Sequence, residues 1–494
     1  MIARKITVWL TAMTLTLVAL GSAARPVAAG FPTAHNYPGC GATIQDCVNS
    51  AAPGDGIFVH ADDAGTAVSI SKELLLTSGD GVKHTIGFIA IGDLSTTPIH
   101  VIVDGFNVST AVRVFFDQSV GSRVEIRNVV AHGSSVNAPF DFLIERSATV
   151  ALERSAGSPS GSIGDAMRIL ASPNGGHVSF RIVGNSLSGH GHANSGAGIA
   201  LTMMGTGRVT ADIFNNTIWD VARCGCGFAA GIGIIARDTV LADVNIVGNT
   251  IERSATKGLE QRNNLATGGH LGLDVFNNIF AHTGQQGIAL DSGNASLTYR
   301  GGYNDSFVNG SPNDLAGQAP GPGNVSIDPR FVDRAAGKLG LKSTSGLIDK
   351  GQVCSPGGVA NPDAAGRHRI AAKSIDIGAL ERGAGAVTGI ILLGTPANDT
   401  QIGSAGSDIL CGFSGADTQR GLGGNDYLDG GVAADRLDGG PGADRLFGRD
   451  SNDLLCANDG SGNDLVNGGT GTDRFRADAG DTRKSVEKAG ACPF

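Results

Sequence analysis

The sequence predicts an all-β chain in two parts: a long right-handed parallel β-helix, then a shorter stack of tight turns and very short strands. Three observations predict it. Seven successive aspartates stand nine residues apart, at Asp399, Asp408, Asp417, Asp426, Asp435, Asp444 and Asp453. A segment of alternating apolar residues ending in an asparagine turn occurs four times between 178 and 280. Glycine supplies 76 of the 494 residues and aromatics only 5%, which suits many turns joined by thin strands better than one large globular core.

In chain order, Arg4 and Lys5 precede an apolar run from Val8 to Leu20 and the small residues Val27, Ala28 and Ala29. This reads as a secretory signal peptide over 1–29. Its apolar core is shorter than the roughly 20 residues of a membrane span and no later stretch approaches one, so the expected mature chain is soluble, without a transmembrane segment, and secreted. Acidic residues outnumber basic ones by nine, which argues against a nucleic-acid partner. Eight cysteines fit disulfides in an oxidising compartment, with Cys40 and Cys47 placed for a small loop. Cys224 and Cys226 lack a second Cys/His pair at zinc spacing.

The β-helix is expected over 30–325. From Cys40 the text CGATIQDCVNSAAPGDGIFVH reads as a short amphipathic helix, a PGDG turn and a first strand, an arrangement that caps such a stack. Counted from Asn185, Asn216, Asn249 and Asn278, apolar residues recur at minus five, minus three and plus two, as Phe180, Ile182 and Leu187 do in the first copy. Alternation of this kind points those side chains inward. The copies lie 31, 33 and 29 residues apart, enough for one coil with one protruding loop. A second column, Gly198, Gly231, Gly258 and Gly287, precedes Ile199, Ile232, Leu259 and Ile288. Coils stack about 4.8 Å apart, so the asparagines form a ladder that hydrogen-bonds along the stack.

Residues 326–383 carry IDPRFVD, LKSTSGLIDKG, NPDAAGRHR and DIGALERG. They resemble the closing segment of the choice-of-anchor Q proteins, bacterial exported β-helix proteins with a variable C-terminal appendage. The resemblance implies export or surface association and a β-helix of the pectin-lyase type. Asp328, Asp349, Asp376 and Glu381 are expected to cap turns and close the last coil.

A linker over 384–393 leads to the nine-residue repeats, expected over 394–483, and a tail over 484–494. After an eleven-residue step the spacing returns at Asp464 and Asp473. Two residues past each Asp stands Leu410, Leu428, Leu437, Leu446, Leu455, Val466 or Phe475, with Gln401 and Gln419 as exceptions. Glycines permit tight turns that aim carbonyls and one carboxylate at a common point, and hard oxygen ligands without Cys or His favour calcium. Units such as GGPGADRLF (439–447) and GGTGTDRFR (468–476) resemble the RTX calcium-binding nonapeptide. That resemblance implies a parallel β-roll whose successive strands alternate between two sheets. Several Ca2+ ions would lie between turns two units apart, held by the nine aspartates and by turn glycines such as Gly406, Gly415, Gly424, Gly442 and Gly471. Ala397, Ala433 and Ser451 depart from the pattern at the same turn position. In such a roll Cys411 and Cys456, five units apart, face opposite sides and cannot pair, leaving Cys354 and Cys492 freer to do so. Fifteen Asp and no Glu against seven Arg over 394–483 would repel without an ion, so order in this part is expected to depend on calcium.

For catalysis the sequence offers one constellation. Four residues past the ladder asparagines come Asp220, Arg253 and His282, with Glu252 and His190 beside them. A carboxylate, a guanidinium and an imidazole on consecutive coils suit proton abstraction beside a uronate carboxylate, as in a polysaccharide lyase. The alternative is an ordinary salt-bridge ladder on a solvated turn. Arg168, Glu260, Arg262 and Asp291 form a second outward set. No glycosidase carboxylate dyad, nucleophile elbow, HExxH or phosphate-binding loop is present. The expectation is a monomeric, non-catalytic calcium-binding protein facing polysaccharide or the cell envelope, against a calcium-dependent polysaccharide lyase or hydrolase.

Overall fold

The computed structural model describes residues 33–492 apart from 93–95, 134–137, 160–163, 190–195, 222–229, 292–295, 359–362, 368, 370–373, 384–388 and 461–462. The expected signal peptide, His190, Cys224 and Cys226 lie outside the described residues, as does half of the expected linker.

At the start, Thr43 and Asp46 exchange side-chain and backbone hydrogen bonds in a capping box that opens the α-helix Ile44–Ser50. The helix buries Ile44, Cys47 and Val48 over the first coil and is tied by the Cys40–Cys47 disulfide. Ahead of it, strand Ala34–Tyr37 pairs in parallel with Asp55–Val59 and adds a rung that composition does not reveal.

From there the chain coils through two long parallel sheets, one of eleven strands and one of seventeen. Register follows the sequence repeats. Phe180, Ala211, Val244 and Leu273 stand in one column, and Ile182, Ile213, Ile246 and Val275 in the next. Leu187, Ile218, Ile251 and Phe280 form a third, all buried in one continuous core. Ile199, Ile232, Leu259 and Ile288 are likewise stacked. Glycine is required just before them: a Cβ on Gly198 would meet Ile218 at 2.3 Å and the Gly231 carbonyl at 2.7 Å.

The asparagine ladder runs along the stack. Each of Asn185, Asn216, Asn249 and Asn278 donates its amide N–H and its Nδ2 to Oδ1 of the next asparagine, at 2.9–3.0 Å. Their Nδ2 groups also donate to the carbonyls of Leu152, Ile182, Ile213 and Ile246. Asn304 extends the ladder by one coil.

The closing segment first forms an antiparallel hairpin, Phe331–Asp333 with Lys338–Leu341, whose apolar side chains cluster with Ile279, Ala281, Leu347 and Ile377. It then crosses the outside of the coils. Asn277 donates to the Gln352 carbonyl (2.8 Å) and accepts its N–H (2.7 Å), and the Ala379 N–H donates to Thr250 Oγ1 (2.9 Å). The expected capping acids close it: Asp376 accepts from the N–H groups of Asp349 and Arg382, and Glu381 from that of Asp376.

The C-terminal part is a roll of two six-stranded parallel sheets whose strands alternate along the chain. It begins three residues earlier than the aspartate spacing places it, because Leu392 in strand Ile391–Leu393 already supplies an inward apolar side chain. Leu410, Leu428, Leu437, Leu446, Leu455 and Val466 fill the interior. The two polar exceptions pair with each other: Gln419 Nε2 donates to Gln401 Oε1 at 2.8 Å. Cys411 and Cys456 lie on opposite sheets, bonded to Cys354 and Cys492.

Candidate metal centre and a candidate site on the helix

The expected aspartates line the turns at both edges of the roll. The amides of the first seven donate to Oδ1 of the aspartate two units on: Asp399 to Asp417, Asp408 to Asp426, Asp417 to Asp435, Asp426 to Asp444, Asp435 to Asp453, Asp444 to Asp464 and Asp453 to Asp473, at 2.7–2.8 Å. One carboxylate oxygen is thereby spent on holding the neighbouring turn. The other, Oδ2, is buried without a hydrogen-bond partner at Asp417, Asp426, Asp435, Asp444, Asp453, Asp464 and Asp473.

Leaving a buried polar atom unpaired costs about 1–3 kcal/mol, and more when it is charged. Burial accordingly pushes the carboxyls of Asp426, Asp435, Asp444 and Asp453 up to about 7 and that of Asp464 to about 6, with Asp417 and Asp473 raised for the same reason. Seven orphaned anionic oxygens in two rows fit a divalent cation. Among the described residues no three of Asp, Glu, His or Cys converge, so an ion here would take its remaining oxygens from turn carbonyls.

The glycines that open the units keep this space. A Cβ on Gly412, Gly421, Gly430, Gly439, Gly448 or Gly468 would stand 2.2–2.4 Å from the Oδ2 of the aspartate that follows. Of the turn glycines expected from the family pattern, Gly415, Gly424, Gly442 and Gly471 adopt positive φ, and Gly406 does not. Ala433 (φ 87°) and Ser451 (φ 89°) take the same conformation despite their side chains, so these departures leave the turn shape intact.

The first two turns differ. Asp399 Oδ2 accepts the Thr395 N–H (2.5 Å) and hydroxyl (2.9 Å), and Asp408 Oδ2 accepts those of Ser404. Their carboxylates are thus satisfied by the chain itself. Spacing places all nine aspartates alike; the hydroxyls at 395 and 404 were the available signal that two of them stand apart.

On the helix, Asp220 (φ 60°), Arg253 (φ 55°) and His282 (φ 54°) share one turn column. Val308 continues it at φ 47°, so the left-handed backbone belongs to the coil architecture. Arg253 Nε donates to Asp220 Oδ1 at 3.3 Å, and Arg253 Nη1 donates to the Arg334 carbonyl at 3.0 Å. His282 Nδ1 lies 3.1 Å from Glu252 Oε2, and Arg334 Nε lies 3.2 Å from Glu252 Oε1. Glu252 is fully buried, and burial raises its carboxyl. Asp220, Arg253 and His282 line one shallow depression of about 330 Å³ with Val221, Ser254, Ala255 and Gly284.

The hairpin residue Arg334, 81 positions from Arg253, is what sequence reasoning missed; no local periodicity brings it there. Trp219 beside this site lies under the same hairpin, against Gly337. The second outward set does not assemble. Arg168 grips Asp141 while Glu260 holds Lys257 and Arg262, and the rungs carrying Ala200 and Gly233 separate the two groups.

Comparison with known proteins agrees with this geometry at the C terminus. The RTX calcium-binding nonapeptide repeat matches in four copies, at 393–428, 420–455, 429–462 and 457–482. No curated protein matches the chain. Among solved structures, pectate lyase Pel9A is similar at 13% identity over 72% of this chain and 97% of its own, with a TM-score of 0.44. The PL6 family alginate lyase AlyGC is similar at 11% identity over 92% of this chain and 76% of its own, with a TM-score of 0.24.

Proposed function

Since residues 393–482 are RTX calcium-binding repeats behind a parallel β-helix, we propose that this is an exported protein whose roll is ordered by calcium and whose helix presents a non-catalytic, glycan- or envelope-facing surface. The observation that carries the reading is the row of orphaned Oδ2 atoms. Pairing each orphaned carboxylate with the one two units on would give five sites: Asp417 with Asp435, Asp426 with Asp444, Asp435 with Asp453, Asp444 with Asp464 and Asp453 with Asp473. Each site would take one Ca2+ through two carboxylates and turn carbonyls. Asp399 and Asp408 would contribute less, since Thr395 and Ser404 already occupy them. Calorimetric titration of the full chain tests this, with about five ions expected under the two-carboxylate rule. Saturation at one or none would refute it.

Against catalysis on the helix stand the ion pairs that hold Asp220, Arg253, Glu252 and His282, and the hairpin that covers Glu252. A second reading is kept because the three residues do share one open depression. As a uronan lyase, His282 would take the proton next to the carboxylate and Arg253 would hold the acid group. Incubation with pectate and alginate, followed by the absorbance of unsaturated product, separates the readings. Activity abolished in Arg253→Ala and His282→Ala would favour the lyase.

A further inference from the structure

Of the seven arginines of the roll, four lie on one sheet and three on the other. On the sheet containing Thr418–Arg420, Arg436–Asp438, Leu454–Ala457, Arg474–Ala477 and Lys488–Ala489, the outward column reads Arg436, Leu454, Arg474, Lys488 across neighbouring strands. The adjacent outward column reads Arg420, Asp438, Cys456, Arg476; the tail crosses the middle of the face, with Gly490 against Leu454 and Cys492 bonded to Cys456, so the cations flank it. Five cations thus share one face with one carboxylate, Asp438, which Arg420 already engages at 3.5 Å.

Arg436, Arg474, Arg476 and Lys488 are exposed. Among the described residues, Arg474, Arg476 and Lys488 have no ion-pair partner, whereas Arg113, Arg168, Arg300 and Arg449 each hold an aspartate. The opposite sheet is not available in the same way: its outward Ile409, Cys411 and Tyr427 are buried with Val353, Cys354 and Ile375 of the closing segment.

The edges of the cationic face are the aspartate turns. When ionised and without calcium, they surround it with negative charge and repel a polyanion. Each divalent ion would cancel two carboxylates, leaving the cations to dominate the local field. We propose that the calcium-loaded roll binds an anionic polysaccharide on this face, with Arg436, Arg474, Arg476 and Lys488 as its contacts. The inference rests on the calcium occupancy proposed above.

Cations two strands apart in one column, as Arg436 and Arg474 are, stand about 10 Å apart, a spacing that suits an extended chain with regular charge. Nucleic acid fits less well, because none of the four tyrosines and two tryptophans lies in these columns to stack a base.

The test uses the full chain and chondroitin sulfate as probe, with dextran as the neutral control and calcium uptake measured in parallel by calorimetry. The triple variant Arg474→Ser, Arg476→Ser, Lys488→Ser should take up calcium as the parent does and bind the polymer about tenfold more weakly or worse. Unchanged polymer affinity in the variant, equal affinity for dextran, or tighter binding to duplex DNA or anionic vesicles would overturn the proposal. Failure of the parent chain to take up calcium would overturn the calcium reading instead, and polymer binding unaffected by chelation would overturn the charge reversal.

Discussion

Asp435 shows what a single residue does in the roll. Its Oδ1 accepts the Asp417 N–H at 2.8 Å, its Oδ2 has no hydrogen-bond partner, and burial holds its carboxyl near 7. In the ion-free fold a carboxyl raised from its usual value favours the protonated form. Its stabilising contribution is therefore complete below the unfolded pKa of about 4 and is lost as pH rises through about 7. Calcium must displace that proton, so affinity should fall steadily from pH 7.5 to pH 5.5, with protons released on binding; calorimetry in buffers of different ionisation enthalpy reads both. Gly439→Ala should remove an ion from the count, because its Cβ would sit 2.4 Å from Asp444 Oδ2, whereas Ala substitution at Gly65, where nothing lies within 4 Å, should not. The sequence told where the carboxylates stand, since a nine-residue period fixes position. It did not tell which oxygen is spent, because lone pairs are allotted by the neighbouring turn.

At the scale of the element, the asparagine ladder distributes hydrogen bonds that the coils' turns would otherwise lack. Asn249 accepts two bonds from Asn216 and donates to Asn278 and the Ile213 carbonyl, all buried. Asn249→Ala should cost about 2–4 kcal/mol in denaturant unfolding, since it orphans a buried donor and a buried acceptor. Asn324→Ala, at the exposed end, should cost under about 1 kcal/mol. The ladder was legible because its period and its inward apolar columns agree. Its fifth member, Asn304, was missed because Gly301 and Ser306 stand three before and two after it, where the other four copies carry apolar residues. The hairpin that brings Arg334 to Glu252 was equally hidden: contacts between elements 80 residues apart leave no mark in local spacing.

Across the whole molecule, the roll does not hang from a free tether. The Cys354–Cys411 disulfide and the cluster of Val353, Ile375, Ile409 and Tyr427 join it to the closing segment, which itself crosses the helix coils. Ordering the roll should therefore stabilise the closing segment by linkage. Trp219, the one tryptophan beyond residue 29, lies under the closing hairpin and reports on it. Its fluorescence melting transition should move upward on calcium addition, and the move should shrink in Cys354→Ser, Cys411→Ser. The sequence showed two stacks and ruled out pairing between Cys411 and Cys456; it could not show that their true partners lie outside the roll's regular turns.

Hydrogen exchange of the full chain, compared in calcium and after chelation, bears most directly on the central claim. Amides from Asp399 to Asp473 should be protected with calcium and exchange rapidly without it, while strands such as Leu241–Val247 in the helix keep their protection. Equal protection of the aspartate turns in both conditions would contradict the account.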